Sequence, residues 1–257
     1  MPDYPHGTPS WIELDVADPP AAAEFYGQLF GWTAGALSEE GGGYQMFQQG
    51  DAPVAGLMKL MGPQQPPAWA TYIAVDDADA TSAKVKAAGG QVLIEPMDVM
   101  DIGRMGIFAD PSGAAFGVWQ AKSFKGAGLV NKPVSLCWNE VLTRDRDKVL
   151  EFYPKVFDWT AKPADFEPNN AYRVWHRPDG QMVGGAMEMT DEWFPKEVPS
   201  HWSVCFAVAN TDEIVSKAES LGAKVTMKAM DCPIGRFAGF MDPFGASFTV
   251  MQLANGG

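Results

Sequence analysis

The chain has 257 residues, of which 46% are hydrophobic and 20% charged, enough to bury a sizeable core and too apolar to remain disordered. A net charge of −13 without any cluster of Lys and Arg excludes the electrostatic footprint of a nucleic-acid or anionic-membrane partner. Three cysteines lack metal-type or redox-type spacing, the opening MPDYPHGTPSW has no apolar run of signal-peptide length, and no stretch suits a bilayer, so a cytoplasmic location is expected.

In chain order, the first strand alternates from Trp11. Ile12, Leu14 and Val16 point one way, while Trp11, Glu13 and Asp15 point the other. A helix follows, with Asp18 as N-cap, Pro19 and Pro20 in its first turn, and Ala22, Tyr26 and Leu29 or Phe30 at helical spacing. Three short strand-like runs come next, near 32–38, 44–49 and 54–61. The pattern then restarts with a strand over 69–75, a helix over about 77–88 stopped by Gly89, and strands near 91–98, 103–109 and 114–120 around an ADPSG turn. A Gly-, Lys- and Pro-containing segment, 122–134, reads as a linker.

Beyond it the chain repeats itself. Trp11, Glu13, Asp18, Glu24-Phe25-Tyr26, Phe30 and Trp32 return as Trp138, Glu140, Asp145, Glu151-Phe152-Tyr153, Phe157 and Trp159. GRMGIFADPSGAAFGVWQ from Gly103 returns as GRFAGFMDPFGASFTVMQ from Gly235. The halves are 8–121 and 135–253, each a βαβββ unit written twice, which predicts an α+β chain of four modules in two tandem domains.

A first strand ending V-x-D, a helix carrying EFY…LFGW and a closing DPxGxxF hairpin resemble the vicinal oxygen chelate superfamily of glyoxalases, dioxygenases and bleomycin-resistance proteins. The resemblance covers the whole chain and is greatest to two-domain actinobacterial glyoxalase-like proteins. It implies that two modules curl into a cup in which His, Glu or Gln side chains hold a divalent ion as a Lewis acid. The implied ligand positions are Trp11, Gly56, Ala70 and Gly117 in the first half, and Trp138, Gly185, Ser203 and Thr249 in the second. None is a His or a carboxylate, so neither a metal nor any other cofactor is expected. Two module pairings stay open: first with second, or first with fourth.

Paired Trp11 and Glu13, and paired Trp138 and Glu140, therefore become the candidate cup residues. In one reading each Trp plugs the space a metal would fill. In the other, aromatic walls and a carboxylate suit a flat organic ligand, with Trp69, Trp202, Tyr44 and Tyr172 as further lining. A Glu beside an indole has reason for a raised pKa and would serve as a general base, with His201 as an acid–base partner of Glu140. Asp98 with Arg104, and Asp231 with Arg236, read as ion pairs across a hairpin, or as Arg at a cup mouth gripping an anionic ligand.

The expected function is metal-free binding of a small, largely aromatic or apolar molecule, for sequestration, resistance or metal-independent chemistry, by a monomer or homodimer. The alternatives are a metal-dependent lyase or dioxygenase with displaced ligands (Glu13, Glu140, Asp98, Asp231, His201) and a non-catalytic protein-interaction domain.

Overall fold

The computed structural model describes residues 2–164 and 172–254. The first domain runs β1 (Thr8–Val16), α1 (Pro19–Phe30), β2 (Thr33–Ala34), β3 (Gln45–Gln49), β4 (Ala52–Lys59), β5 (Ala68–Ala74), α2 (Ala78–Ala87), β6 (Gln91–Val99), β7 (Gly103–Ala109) and β8 (Ala115–Ala121). The second repeats it as β9 (Ser135–Thr143), α3 (Arg146–Phe157), β10 (Thr160–Pro163), β11 (Tyr172–His176), β12 (Met182–Glu188), β13 (His201–Ala207), α4 (Thr211–Ser220), β14 (Lys224–Cys232), β15 (Gly235–Met241) and β16 (Ser247–Leu253).

Local chemistry sets the helix ends. The Asp18 side chain accepts from the Ala21 amide at 3.2 Å, and Gly31 closes α1 at φ 76°. At the matching place after α3 stands Asp158, which takes the left-handed conformation at φ 58°; Asp tolerates that region better than most residues with a Cβ.

Each domain is one mixed eight-stranded sheet, ordered β2-β3-β4-β1-β5-β8-β7-β6 and β10-β11-β12-β9-β13-β16-β15-β14. The seam between modules is the antiparallel pair β1–β5 in the first domain and β9–β13 in the second. The first module thus shares a sheet with the second, and the third with the fourth.

The hydrophobic cores follow the other pairing. Ile12, Leu14, Val16, Tyr26 and Phe30 of the first module pack with Phe206, Phe240 and Phe248 of the fourth. Ile73, Phe108 and Phe116 of the second pack with Tyr153, Phe157 and Trp159 of the third. The helix-bearing faces of the two sheets therefore meet, and the opposite faces are left to form the cups. A pair of buried hydrogen-bond networks crosses this junction. The Tyr26 hydroxyl donates to Asp242 (2.9 Å) and accepts from Trp69 Nε1 (3.0 Å); Tyr153 does the same with Asp110 (3.0 Å) and Trp202 (2.7 Å). Asp110 and Asp242 belong to the two DPxG turns, where each also accepts backbone amides, from Ser112 and Ala114 or from Phe244 and Ala246. Burial raises the pKa of both, and these hydrogen bonds oppose the rise.

The 122–134 segment is packed rather than slack. Its Val134 carbonyl accepts from Trp32 Nε1 at 2.8 Å, and the Ala127 amide donates to the Ser10 carbonyl at 2.8 Å. No helix among the described residues is long and apolar enough to cross a membrane.

Candidate functional site

In the first cup, the β1 side chains that face away from the helices set two cross-strand rows. Glu13 stands between Gly56 of β4 and Ala70 of β5; Tyr72 stands between Trp11 of β1 and Gly117 of β8. The carboxylate, rather than the indole, is thus in line with two of the implied ligand positions. A Cβ on Gly56 would collide with the Tyr44 hydroxyl, and one on Gly117 with the Tyr72 ring, so the two glycines make room for two phenols. Trp11 Nε1 donates to the Tyr44 hydroxyl at 2.8 Å, and both phenols hydrogen bond to Glu13, Tyr72 at 3.1 Å.

Burial raises the pKa of Glu13, and the two phenols offset part of that rise. Asp15, one step further along the same strand face, is pushed up to about 8 by burial and then by the Glu13 charge, against a hydrogen bond from Gln65 (2.9 Å). Two flanking segments fill what remains. Phe124 sets its ring edge-on to Trp11 at 5.0 Å and accepts Trp119 Nε1 on its carbonyl at 2.8 Å, while the Tyr4 hydroxyl donates to the Ala127 carbonyl at 2.8 Å. Trp11, Tyr72, Trp119 and Ala127 form a buried cluster of their own, with Trp11 only 5% and Trp119 7% exposed.

The second cup keeps half of this arrangement. Trp138 Nε1 donates to the Tyr172 hydroxyl (2.7 Å), which hydrogen bonds to Glu140 Oε2 (2.6 Å), above a Gly185 that has no room for a Cβ. The other half is changed: Cys205 replaces Tyr72 and Thr249 replaces Gly117, opposite each other in the same register. With that second phenol gone, Glu140 Oε1 has no hydrogen-bond partner among the described residues. Burial raises the Glu140 pKa, opposed by Tyr172 alone. No aromatic ring among the described residues packs on Trp138, which is half-buried, as is Met251 in the place of Trp119. A surface recess of about 710 Å3 lies outside both cups, between α4 and β14, and brings no converging polar set.

The structure thus brings together Trp11, Glu13 and Tyr44, and likewise Trp138, Glu140 and Tyr172. It corrects several other expectations. Trp69 and Trp202 do not line a cup: the period-two alternation of β5 and β13 turns them to the helix side, where their indoles donate to Tyr26 and Tyr153. Arg104 and Arg236 also lie on that side. Each forms a two-pronged ion pair with the first turn of the adjacent helix, Arg104 with Asp79 and Arg236 with Asp212 (2.9–3.0 Å), so neither is free to hold a ligand in a cup. Asp98 and Asp231 are their secondary partners, at 3.7 and 3.1 Å. His201 shares the cup face with Ser203 but hydrogen bonds to the Pro199 carbonyl (2.8 Å) instead of Glu140, and burial lowers its pKa. Tyr72, Trp119 and Phe124 were missed. Alternation from Ala70 points Tyr72 into the cup, but nothing local marks Phe124 as its stopper.

The model of the Glyoxalase/Bleomycin resistance protein/Dioxygenase superfamily matches residues 8–118 and 136–250. The chain belongs to this superfamily. It is 42% identical over 258 residues to the putative glyoxylase CFP32 of Mycobacterium tuberculosis, covering 98% of this chain and 97% of that one. It is 38% identical over 272 residues to the anthracycline biosynthesis protein DnrV of Streptomyces peucetius, covering 100% and 97%. Among solved structures, the Mn(II)-bound glyoxalase from Novosphingobium aromaticivorans superposes with a TM-score of 0.64 at 17% identity, over 95% of this chain and 82% of that one. The 2,3-dioxygenase LapB from Pseudomonas sp. KL28 gives 0.64 at 14%, over 96% and 93%.

The superfamily's divalent ion does not fit the residues present here. The eight implied positions offer indole, glycine, alanine and two hydroxyl groups, the one carboxylate in line with them in each cup is hydrogen bonded to a phenol, and phenols occupy the space over Gly56 and Gly185. No group of three or more His, Cys, Asp or Glu suited to a metal occurs among the described residues.

Proposed function

We propose that the chain is a metal-independent, cytoplasmic glyoxalase-like protein that takes a small, largely aromatic or apolar molecule in the second cup, with Glu140 as the polar anchor. The observation that carries this reading is the difference in hydrogen bonding between the two carboxylates. Glu13 is held by two phenols, whereas among the described residues Glu140 is hydrogen bonded by Tyr172 alone and no ring packs on the half-buried Trp138 beside it. A carboxylate with a single phenol donor among the described residues has acceptor capacity left for a ligand hydroxyl or amine, and Trp138 offers a face for a flat ring. The Streptomyces relative named for anthracycline biosynthesis is consistent with a ligand built on fused rings. The first cup, filled by its own side chains, serves as structure.

With its raised pKa, Glu140 has the chemistry of a general base toward a bound O–H or C–H acid, and sequestration needs only the binding step. Titration calorimetry with a panel of phenols and fused-ring aromatics tests the reading. One molecule bound per chain is expected, weakened about 10–100-fold in Glu140→Gln by loss of a hydrogen bond to a charged group, about 1.5–3 kcal/mol. Uniform failure to bind would overturn it. So would stoichiometric Mn, Zn, Ni or Fe in protein purified without chelator, which would favour a metal-dependent lyase or dioxygenase.

A further inference from the structure

The second cup contains a thiol pair that the first lacks. The register slips between Cys205 and Phe206 as β13 runs against β9, so Cys137 becomes an extra residue beside Trp138 on the strand facing Cys205. Its thiol donates to the Cys205 carbonyl at 3.4 Å and lies 3.8 Å, sulfur to sulfur, from the Cys205 thiol. The corresponding residues of the first domain are Ser10 and Tyr72, which have no such chemistry. A disulfide needs its sulfurs about 2.0 Å apart, so the two thiols, 3.8 Å apart on adjacent strands, have less than 2 Å to close. Closing the bond therefore asks for side-chain rotation with little movement of the strands.

We propose that Cys137 and Cys205 form an oxidisable dithiol on the wall of the second cup, which hydroperoxides convert to an intramolecular disulfide. The two thiols differ in role. Cys137 retains accessible surface, whereas Cys205 is 8% exposed. The adjoining Cys137 thiol and then burial also hold the Cys205 thiol well above the usual range. Cys137 is thus the first to react. Its sulfur attacks one peroxide oxygen, the O–O bond breaks, and an alcohol leaves with the thiol proton while Cys137 becomes a sulfenic acid. The Cys205 sulfur then displaces hydroxide, which takes up the Cys205 proton as water. Two thiols and one hydroperoxide give one disulfide, one alcohol and one water, with sulfur oxidised and the peroxide reduced. A thiol pair of this kind is compatible with a reducing cytoplasm as a transient state rather than a permanent staple.

The test is to treat the intact, folded protein with stoichiometric hydrogen peroxide, then denature it without reductant and alkylate. The chain has three cysteines. The expected result is that alkyl groups fall from three to one, the survivor on Cys232, with loss of two hydrogens from the intact mass and a Cys137–Cys205 cross-linked peptide. In Cys205→Ser the sulfenic acid on Cys137 is expected to persist and be trapped by dimedone. Three alkylated cysteines after oxidation, or a bond involving Cys232 or a second chain, would overturn the proposal. None of these readouts requires a cup ligand, so the outcome is separate from that of the binding titration.

Discussion

Two cups built from the same strand phrase have diverged by exchange of a few facing residues. In the first, large and small residues interlock: Tyr72 lies over Gly117 and Trp119 over Gly103, and Phe124 closes the top. In the second, Cys205 and Thr249 stand where the ring and its glycine were, and Met251 stands in place of the indole. A sheet face left without ligating side chains has to bury its apolar surface or find something else to cover it. The first domain covers it with its own chain. In the second the indole stays partly open, and the shared carboxylate loses one of its two phenol donors. The comparison teaches that exchange of a few facing residues changes how tightly the cup's own side chains surround the central Glu, while the sheet and its register stay the same.

The largest expected effect tests the interlock itself. Trp11→Ala removes a buried indole, its ring contact and its hydrogen bond, and is expected to lower unfolding free energy by about 3–5 kcal/mol. Trp138→Ala, at a half-buried site without ring contacts among the described residues, is expected to cost roughly half as much; chemical denaturation of both variants reads the difference, and equal losses would show the cups to be equally packed. Next, the double exchange Cys205→Tyr with Thr249→Gly rebuilds the first cup's pair in the second domain. It should place a second phenol on Glu140, keep the fold, and weaken ligand binding at least about tenfold, about 1.4 kcal/mol.

The pH dependence should differ between the domains as well. Asp15 has a folded pKa near 8 against its usual 3.8, so between those values the native state holds a proton that the unfolded chain has released. Stability contributed by this group is present at low pH and falls as pH rises toward 8. Its counterpart in the second domain is Leu142, which cannot titrate. Asp15→Asn is expected to flatten that decline in thermal melts taken across the interval, whereas an unchanged slope would remove Asp15 as its source. The smallest effect belongs to the arginines. Arg104→Ala and Arg236→Ala break solvent-exposed ion pairs on the helix side, so melting temperatures close to that of the parent chain and unchanged cup binding are expected.

Much of the cup was legible before the fold was known. Alternation along β1 and β9 assigned Trp11, Glu13, Trp138 and Glu140 to the face away from the helices, because a strand has only two sides. The same rule, applied to β5 and β13, rules out Trp69 and Trp202 as lining residues and selects Tyr72 and Cys205. The arginines could not be placed by spacing alone: Asp98 and Asp231 are nearby across a hairpin, but Asp79 and Asp212 offer the two-pronged geometry and lie on helices whose approach depends on packing. The aspartates of the two DPxG turns read as turn formers and are that. Their second role, receiving the Tyr153 and Tyr26 hydroxyls from the other domain, has no local signature.

By itself the sequence determined the four-module repeat, the caps and turns of each module, and the face on which each strand residue falls. All of these follow from interactions over a few residues, or from residue identity. The tertiary structure alone decided that sheets join the first module to the second while cores join the first to the fourth, and that Phe124 stops one cup. Four similar modules present nearly equivalent edges and apolar faces. The choice among them is therefore made by contacts between residues distant in sequence, where no single module has a preference of its own.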